Sequence, residues 1–244
     1  MTLKVVVCDF DLTLSPHYMQ KALFDYYGID EAAFWEHCKR GALNDIRYYG
    51  DYNGSLVWMR QLSRLAGTVS PAITNTKLAF LGKSIELFPG VEEWLDSLYE
   101  QKVPVFVVTA GSAIMLEFLK TRHHVQQVWG CHFLEEEGQI ASPAYIVTEK
   151  DKPRCLEAIL AQQGADPRDL IYIGDGESDE AAFRWTIQHG GTTIGVAPDS
   201  PLMEQWVEDG TLTVHLKPDY QVYSPLYNFV QNLCTKTRKL SSKR

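Results

Sequence analysis

Asp9-Phe10-Asp11-Leu12-Thr13 decides how this chain is read. It follows directly on Leu3 to Cys8, an apolar, valine-rich run broken only by Lys4. Three β-branched residues in a row, Val5 to Val7, predict a buried strand. A buried strand seldom ends in two carboxylates unless something cationic awaits them. The design recurs downstream, where Leu170-Ile171-Tyr172-Ile173 runs into Gly174-Asp175-Gly176-Glu177-Ser178-Asp179. Two separate strands that carry acids to their carboxyl ends predict one hard-cation site assembled by folding. A lone Asp-x-Asp is more often a turn or a helix cap; the second acidic strand end lifts the reading above that. The donors suit Mg²⁺, which takes a few carboxylate oxygens plus water and phosphate, and no His/Cys set competes for the role.

Working outward, Ser15 before Pro16 reads as N-cap and first helical residue of a helix through Tyr27, stopped by Gly28. Asp30 opens a second helix through Arg40, with Gly41 as its end, and helical stretches follow near Leu56 to Ala66 and Pro71 to Lys83. From Pro89 an alternation of helix and strand sets in. It runs as helix Val91 to Gln101, strand Val103 to Val108, helix Ser112 to about Arg122, and strand Val128 to Leu134. A turn at Glu137-Gly138 leads into Ala144 to Thr148, and Asp151 or Lys152 opens a helix to Gln163. After the acidic strand come a helix from Ser178, strand Thr192 to Val196, a helix near Met203 to Val207 and strand Leu212 to Leu216. This order predicts an α/β fold: a doubly wound, Rossmann-like parallel sheet with its site beyond the carboxyl strand ends. Residues 1–14 and 88–244 form the expected core, and 15–87 an inserted helical subdomain over the site.

Composition bounds the function. The 244 residues suffice for one core with a small insertion, and 45% apolar with 22% charged residues is ordinary globular usage. No run approaches the roughly 18 apolar residues of a membrane span, and no leader precedes the first strand, so the cytoplasm is the expected location. Five cysteines without C-x-x-C spacing argue against a disulfide scaffold, and Cys8 reads as a buried core thiol. A formal net charge of -8 disfavours nucleic acid as a partner. The basic end, Lys236, Arg238, Lys239, Lys243 and Arg244, reads as a solvated, frayed terminus.

Four short motifs, in order, resemble the haloacid dehalogenase superfamily in its phosphatase branch, most closely the phosphoserine-phosphatase-like group. They are Asp9-Phe10-Asp11-Leu12-Thr13; Thr109-Ala110-Gly111 closing the strand Val105 to Val108; Lys152 in Lys150-Asp151-Lys152-Pro153-Arg154; and Gly174-Asp175-Gly176-Glu177-Ser178-Asp179. The resemblance implies hydrolysis of a small phosphomonoester through an aspartyl-phosphate. A phosphotransferase or mutase sharing that intermediate and a non-catalytic phosphate-binding module are the alternatives. It further implies Asp9 as nucleophile and Asp11 as acid and base, its pKa raised by crowding from Asp9 and Asp175. Asp9, Asp175 and the backbone carbonyl of Asp11 would hold Mg²⁺, with Asp179 orienting water behind them. Thr109, the Ala110 amide, the helix start near Ser112 and Lys152 would hold the phosphoryl group, with Lys150 a rival for the lysine's role. The insertion is the specificity element. Tyr18 stands where the resembling phosphatases carry a glutamate for the substrate's amino group, which turns the expectation away from phosphoserine. Tyr18 and Arg47 are candidate substrate contacts. The aromatic run Tyr48-Tyr49, Tyr52 and Trp58, with Arg60 and Arg64 nearby, could also face a substrate, although aromatics at helical spacing are more often core. The doublet His123-His124 is expected on a helix surface.

Overall fold

The computed structural model describes the backbone of residues 4–49 and 54–241, with side chains for 4–41 and 56–235. Val5–Cys8 forms β1, buried on both faces, as a continuous apolar run requires in a parallel sheet covered by helices. Four helices follow before the next strand: α1 (Gln20–Tyr27), α2 (Glu31–Tyr49), α3 (Gly54–Ala66) and α4 (Asn75–Gly82). After α5 (Val91–Glu100) come β2 (Val105–Ser112), α6 (Glu117–Arg122), β3 (Gln127–Glu136) and β4 (Gln139–Tyr145). The chain then alternates through α7 (Lys152–Gln163), β5 (Leu170–Gly174), α8 (Glu180–Gln188), β6 (Thr192–Val196), α9 (Pro201–Glu208), β7 (Val214–Leu216) and α10 (Pro225–Ser241).

The strands form one seven-stranded sheet in the order β4-β3-β2-β1-β5-β6-β7, antiparallel only between β3 and β4. From β1 the chain winds outward through β2, and from β5 outward through β6. The order therefore reverses between β1 and β5, where a doubly wound sheet opens a crevice at its carboxyl ends. Register sets what meets there. Cys8 lies level with Val107 of β2 and Ile173 of β5, and the Asp9 amide donates to Ile173 O at 2.8 Å. Asp9 and Asp175 thus leave adjacent strands at nearly the same height, beside Thr109, which lies within β2 where its register with β3 shifts between Val108 and Ser112.

The inserted helices return to their starting point, since the Phe88 amide donates to Leu14 O at 2.9 Å. They are tied to the β3–β4 hairpin by Ile140 N to Ile73 O at 2.8 Å and by the Trp58 ring, edge-on to Phe133 at 5.8 Å. Asn75 adds a bond from its amide side chain to Phe133 O at 3.1 Å.

Several local expectations need correction. α1 begins at Gln20, not at Pro16, because the Ser15 hydroxyl is occupied by the backbone of His17. Gly28 does end α1, in the left-handed region at φ 64°, where glycine carries no Cβ penalty. Asp30 caps α2 through the Ala33 amide at 2.9 Å, but the helix runs past Gly41 to Tyr49. Glycine inside a helix costs only about 1 kcal/mol, which packing offsets. α4 starts at Asn75 behind a Thr74 cap, and the α10 backbone runs on through Lys236, Arg238 and Lys239 to Ser241, while Lys243 and Arg244 lie outside the described residues. His123 is buried beside Glu92, 3.4 Å from its carboxylate, while His124 stacks on Tyr99 at 3.8 Å.

Candidate active site

The segment after β1 is not a prolonged strand. The amides of Thr13, Leu14 and Ser15 all point to Phe10 O, at 3.2, 2.8 and 3.2 Å. Leu12 is held at φ 59°, an unfavourable region for a residue with a large side chain. Asp11 therefore reaches the site by a tight turn. Its Oδ1 accepts the Met19 amide at 2.7 Å. Met19 is the N-cap of α1, so the positive end of that helix is directed at Asp11.

On the far strand, Gly174 ends β5 with no side chain, and a Cβ there would strike the Asp179 carboxylate. That carboxylate folds back over the strand end: Oδ2 accepts the Asp175 amide at 2.9 Å, and Oδ1 accepts the Tyr172 hydroxyl at 2.5 Å and Lys152 Nζ at 2.6 Å. Lys152 opens α7 behind a capping box made by Thr148 and Asp151. It is wholly buried, with Nζ also 3.2 Å from Asp9 Oδ1. Lys150 is exposed on the preceding 3-10 turn, so of the two lysines it is Lys152 that is buried beside Asp9.

Asp9, Asp11, Thr109, Ala110, Lys152 and Asp175 line one side of a cleft of about 530 Å³. Thr109 Oγ1 accepts the Gly111 amide at 2.9 Å, which leaves its hydroxyl hydrogen free to donate. The short 3-10 segment Ala113–Leu116 and α6 follow β2, so no long helix starts at Ser112 to add the expected dipole. Asp179 lies behind this lining, its four contacts spent on Lys152, Tyr172 and the turn backbone.

Four carboxylates face a single ammonium, and the electrostatics show the imbalance. Burial, then Asp9, push the Asp11 carboxyl up to about 8; burial leads, not the crowding expected from sequence. Burial also raises Asp9 and Asp175, the neighbouring Asp179 adding to both. For Lys152, burial opposes the charge, but Asp179 and Asp9 outweigh it and hold the ammonium protonated. Asp9 Oδ1 is buried with Lys152 beside it as a charge, yet at an angle that makes no hydrogen bond. Oxygens of Asp9, Asp175 and Asp179 lie within 4.8 Å of one another. An unbonded buried oxygen, excess negative charge and an all-oxygen donor set fit a hard divalent cation.

The inserted segment lines the cleft through Tyr18, Gln20, Trp35, Cys38, Lys39 and Trp58, and Gly111, Glu149 and Ser178 of the core complete it among the described residues. Only Tyr18 and Trp58 were singled out from sequence, with core the commoner reading of Trp58. Gln20, Trp35, Cys38 and Lys39 were missed, as was Tyr172 beneath the site. Arg60 and Arg64 are exposed and do not line the cleft. Arg47, Tyr48, Tyr49 and Tyr52 lie outside the residues described with side chains. Cys8 is buried, and burial raises its thiol, as a core residue should show. No helix among the described residues is long and apolar enough to cross a membrane.

The chain is similar to known proteins in sequence and in fold. A phosphoserine phosphatase of Archaeoglobus fulgidus is 27% identical over 53% of this chain and 36% of its own length. A substrate-bound phosphoserine phosphatase complex superposes with a TM-score of 0.66 at 19% identity, covering 90% of this chain and 95% of that one. A phosphoserine phosphatase solved as a phospho-aspartyl intermediate analogue gives 0.64 at 19% identity, covering 88% and 93%. The sequence model for haloacid dehalogenase-like hydrolases matches residues 6–184, from the first strand through the acidic turn into α8, and the chain belongs to that family.

Proposed function

We propose that the protein hydrolyses a small-molecule phosphomonoester by way of an aspartyl-phosphate on Asp9. The observation that carries the reading is the Asp9 carboxylate itself: buried, one residue short of the height of Thr109 and Asp175 on the adjacent strands, and facing a cleft with Lys152 Nζ at 3.2 Å. An Asp9 oxygen attacks phosphorus while the ester P–O bond breaks. Asp11, a protonated acid near neutral pH at a pKa of about 8, gives its proton to the departing alkoxide. It then takes one from a water that attacks the aspartyl-phosphate, releasing phosphate and restoring Asp9. Lys152 and the Thr109 hydroxyl balance charge on the phosphoryl oxygens.

Asp9 and Asp175, with the backbone carbonyl of Asp11, would hold Mg²⁺. When bound, the ion supplies charge neutralisation between carboxylate and phosphate. Asp179 has no oxygen to spare for it and serves as the anchor of Lys152. Residues 15–87 act as a cap that shapes the substrate end of the cleft. Phosphatase activity in similar proteins supports this assignment.

A chromogenic phosphate ester with magnesium tests it. Turnover should be lost with a chelator and lost in Asp9→Asn, while Asp11→Asn should slow it by roughly 10²–10⁴-fold. Undiminished turnover in Asp9→Asn would remove the covalent step. Product analysis with an added alcohol acceptor separates hydrolysis from phosphotransfer.

A further inference from the structure

The cleft extends well beyond the phosphoryl site, and three of the side chains that build its outer part are aromatic. Tyr18 precedes α1, Trp35 lies on α2 and Trp58 on α3, yet all reach the same space. Core packing does not account for Tyr18, which keeps 47% of its surface exposed while its ring lies 5.8 Å from Trp35 at a tilt of 53°. The Trp35 plane is fixed from behind by Phe34 and Phe24, at 5.1 and 6.1 Å, both edge-on. Trp58 is fixed in the same way by Phe133. The walls are thus braced aromatic faces directed at a volume that holds a drug-sized group.

Charge narrows the class. Among the described residues, the inserted helices contribute no carboxylate to this cleft, and their one charged contribution is Lys39. An ammonium on the leaving group would meet a like charge there and no counter-ion from the inserted helices; the further carboxylate at the cleft, Glu149, belongs to the 3-10 turn before α7 on the core side. Gln20 adds a polar point: its side-chain oxygen is buried without a hydrogen-bond partner at the cleft wall. A ring N–H or O–H entering from the cleft would satisfy it.

We propose that the substrate's leaving group is a planar, uncharged aromatic or heteroaromatic alcohol, held against Tyr18, Trp35 and Trp58, and not an amino acid, a choline or an aliphatic polyol. This rests on the phosphomonoester reading above and specifies its substrate. The contacts are ring on ring, with the phosphoryl group reaching Asp9 and the ring edge reaching Gln20.

The test compares esters whose alcohols leave about equally well, so that chemistry does not mimic recognition. Phosphate release from benzyl phosphate, cyclohexylmethyl phosphate, ethyl phosphate and choline phosphate is measured with magnesium. Benzyl phosphate should exceed the other three in kcat/KM by roughly tenfold, the scale of one stacked ring. That ratio should shrink in Trp35→Leu and in Tyr18→Leu; the latter side chain is exposed enough for the variant to fold if the former does not. A benzyl-to-ethyl ratio near one, equal use of the cyclohexyl ester, a preference for choline phosphate, or a ratio unmoved in both variants would each overturn the proposal while leaving the phosphatase reading intact. Release from none of the four would overturn both.

Discussion

The two walls of the cleft are built on opposite terms. On the sheet side, Thr109, Lys152 and Asp179 are essentially inaccessible, and Asp9 nearly so. Every one of them is held by the end of a strand or the start of a helix. On the helix side, Tyr18 and Lys39 are exposed, Trp35 is half-buried, and the contacts are mainly ring packing, with one hydrogen bond from Trp35 Nε1 to Glu31 Oε1 at 3.3 Å. Charge in a buried wall must be positioned within tenths of an ångström or it is ruinous, so the fold places it at its most rigid points. Apolar faces tolerate repacking, so the part of the site that picks a partner can sit on helices that change without disturbing the reaction. One bond linking the walls is Met19 N to Asp11 Oδ1, through which the helical insertion touches the proton-transfer group; the Ser112 amide of β2 also donates to Met19 Sδ at 3.1 Å.

The sharpest way to separate the walls is through the surplus of carboxylates on one of them. Asp11 sits at about 8 in the folded protein against about 4 when unfolded. Between those values the folded chain binds a proton that the unfolded chain has lost. Raising pH across the interval must therefore lower the unfolding free energy, and below about pH 4 the contribution is fully present. Burial raises Asp9 and Asp175 as well, and their contribution has the same sign. Chelator-treated protein should lose several kcal/mol of stability from pH 5 to pH 8, read from denaturant midpoints. Saturating Mg²⁺ should flatten or invert the slope, because an ion that binds only the folded state favours the ionised acids. Identical slopes with and without magnesium would mean that the acids do not share an ion.

Next in size is the buried ion network. Asp179→Ala removes the partner at 2.6 Å from Lys152 and leaves Tyr172 without an acceptor. Taking one member from a buried ion pair is expected to destabilise the protein by about 3–5 kcal/mol. Chemical denaturation checks this directly. A loss below about 1 kcal/mol would show that Asp9 alone suffices for Lys152, and the sheet wall would then be less interlocked than its geometry implies.

The same contrast explains what the sequence disclosed. Apolar strands ending in acids are a signal that survives without a structure, because burial and charge conflict at the very positions that matter. Lys152 was separable from Lys150 only once helix phase and burial were known. Tyr172 offered a signal that went unused: a hydroxyl in an otherwise aliphatic buried strand needs a partner, and an acid seven residues on was available. The helix wall was nearly opaque. Trp35 and Cys38 recur at helical spacing as core residues do, and nothing in their order shows that one face of α2 borders a cleft. The start of α1 was misplaced for a related reason. Ser15-Pro16 has the form of a helix start, but its hydroxyl is spent locally, and the amide of Met19 is met by an acid eight residues away.

The smallest effect probes whether the walls are energetically separate. Thr74 caps α4 by accepting the Lys77 amide at 2.9 Å, and α4 does not line the cleft. Thr74→Ala should cost about 1 kcal/mol of stability, as loss of one N-cap does. Because α4 packs on α1, and α1 presents Met19 to Asp11, a disturbance has a short route to the proton donor. If the helix wall only shapes the substrate end, kcat per folded molecule stays unchanged and the denaturation midpoint alone shifts. A fall in kcat beyond the loss of folded protein, with the pH optimum displaced, would show that α1 positions Asp11. The insertion would then belong to the catalytic wall as much as to the binding one.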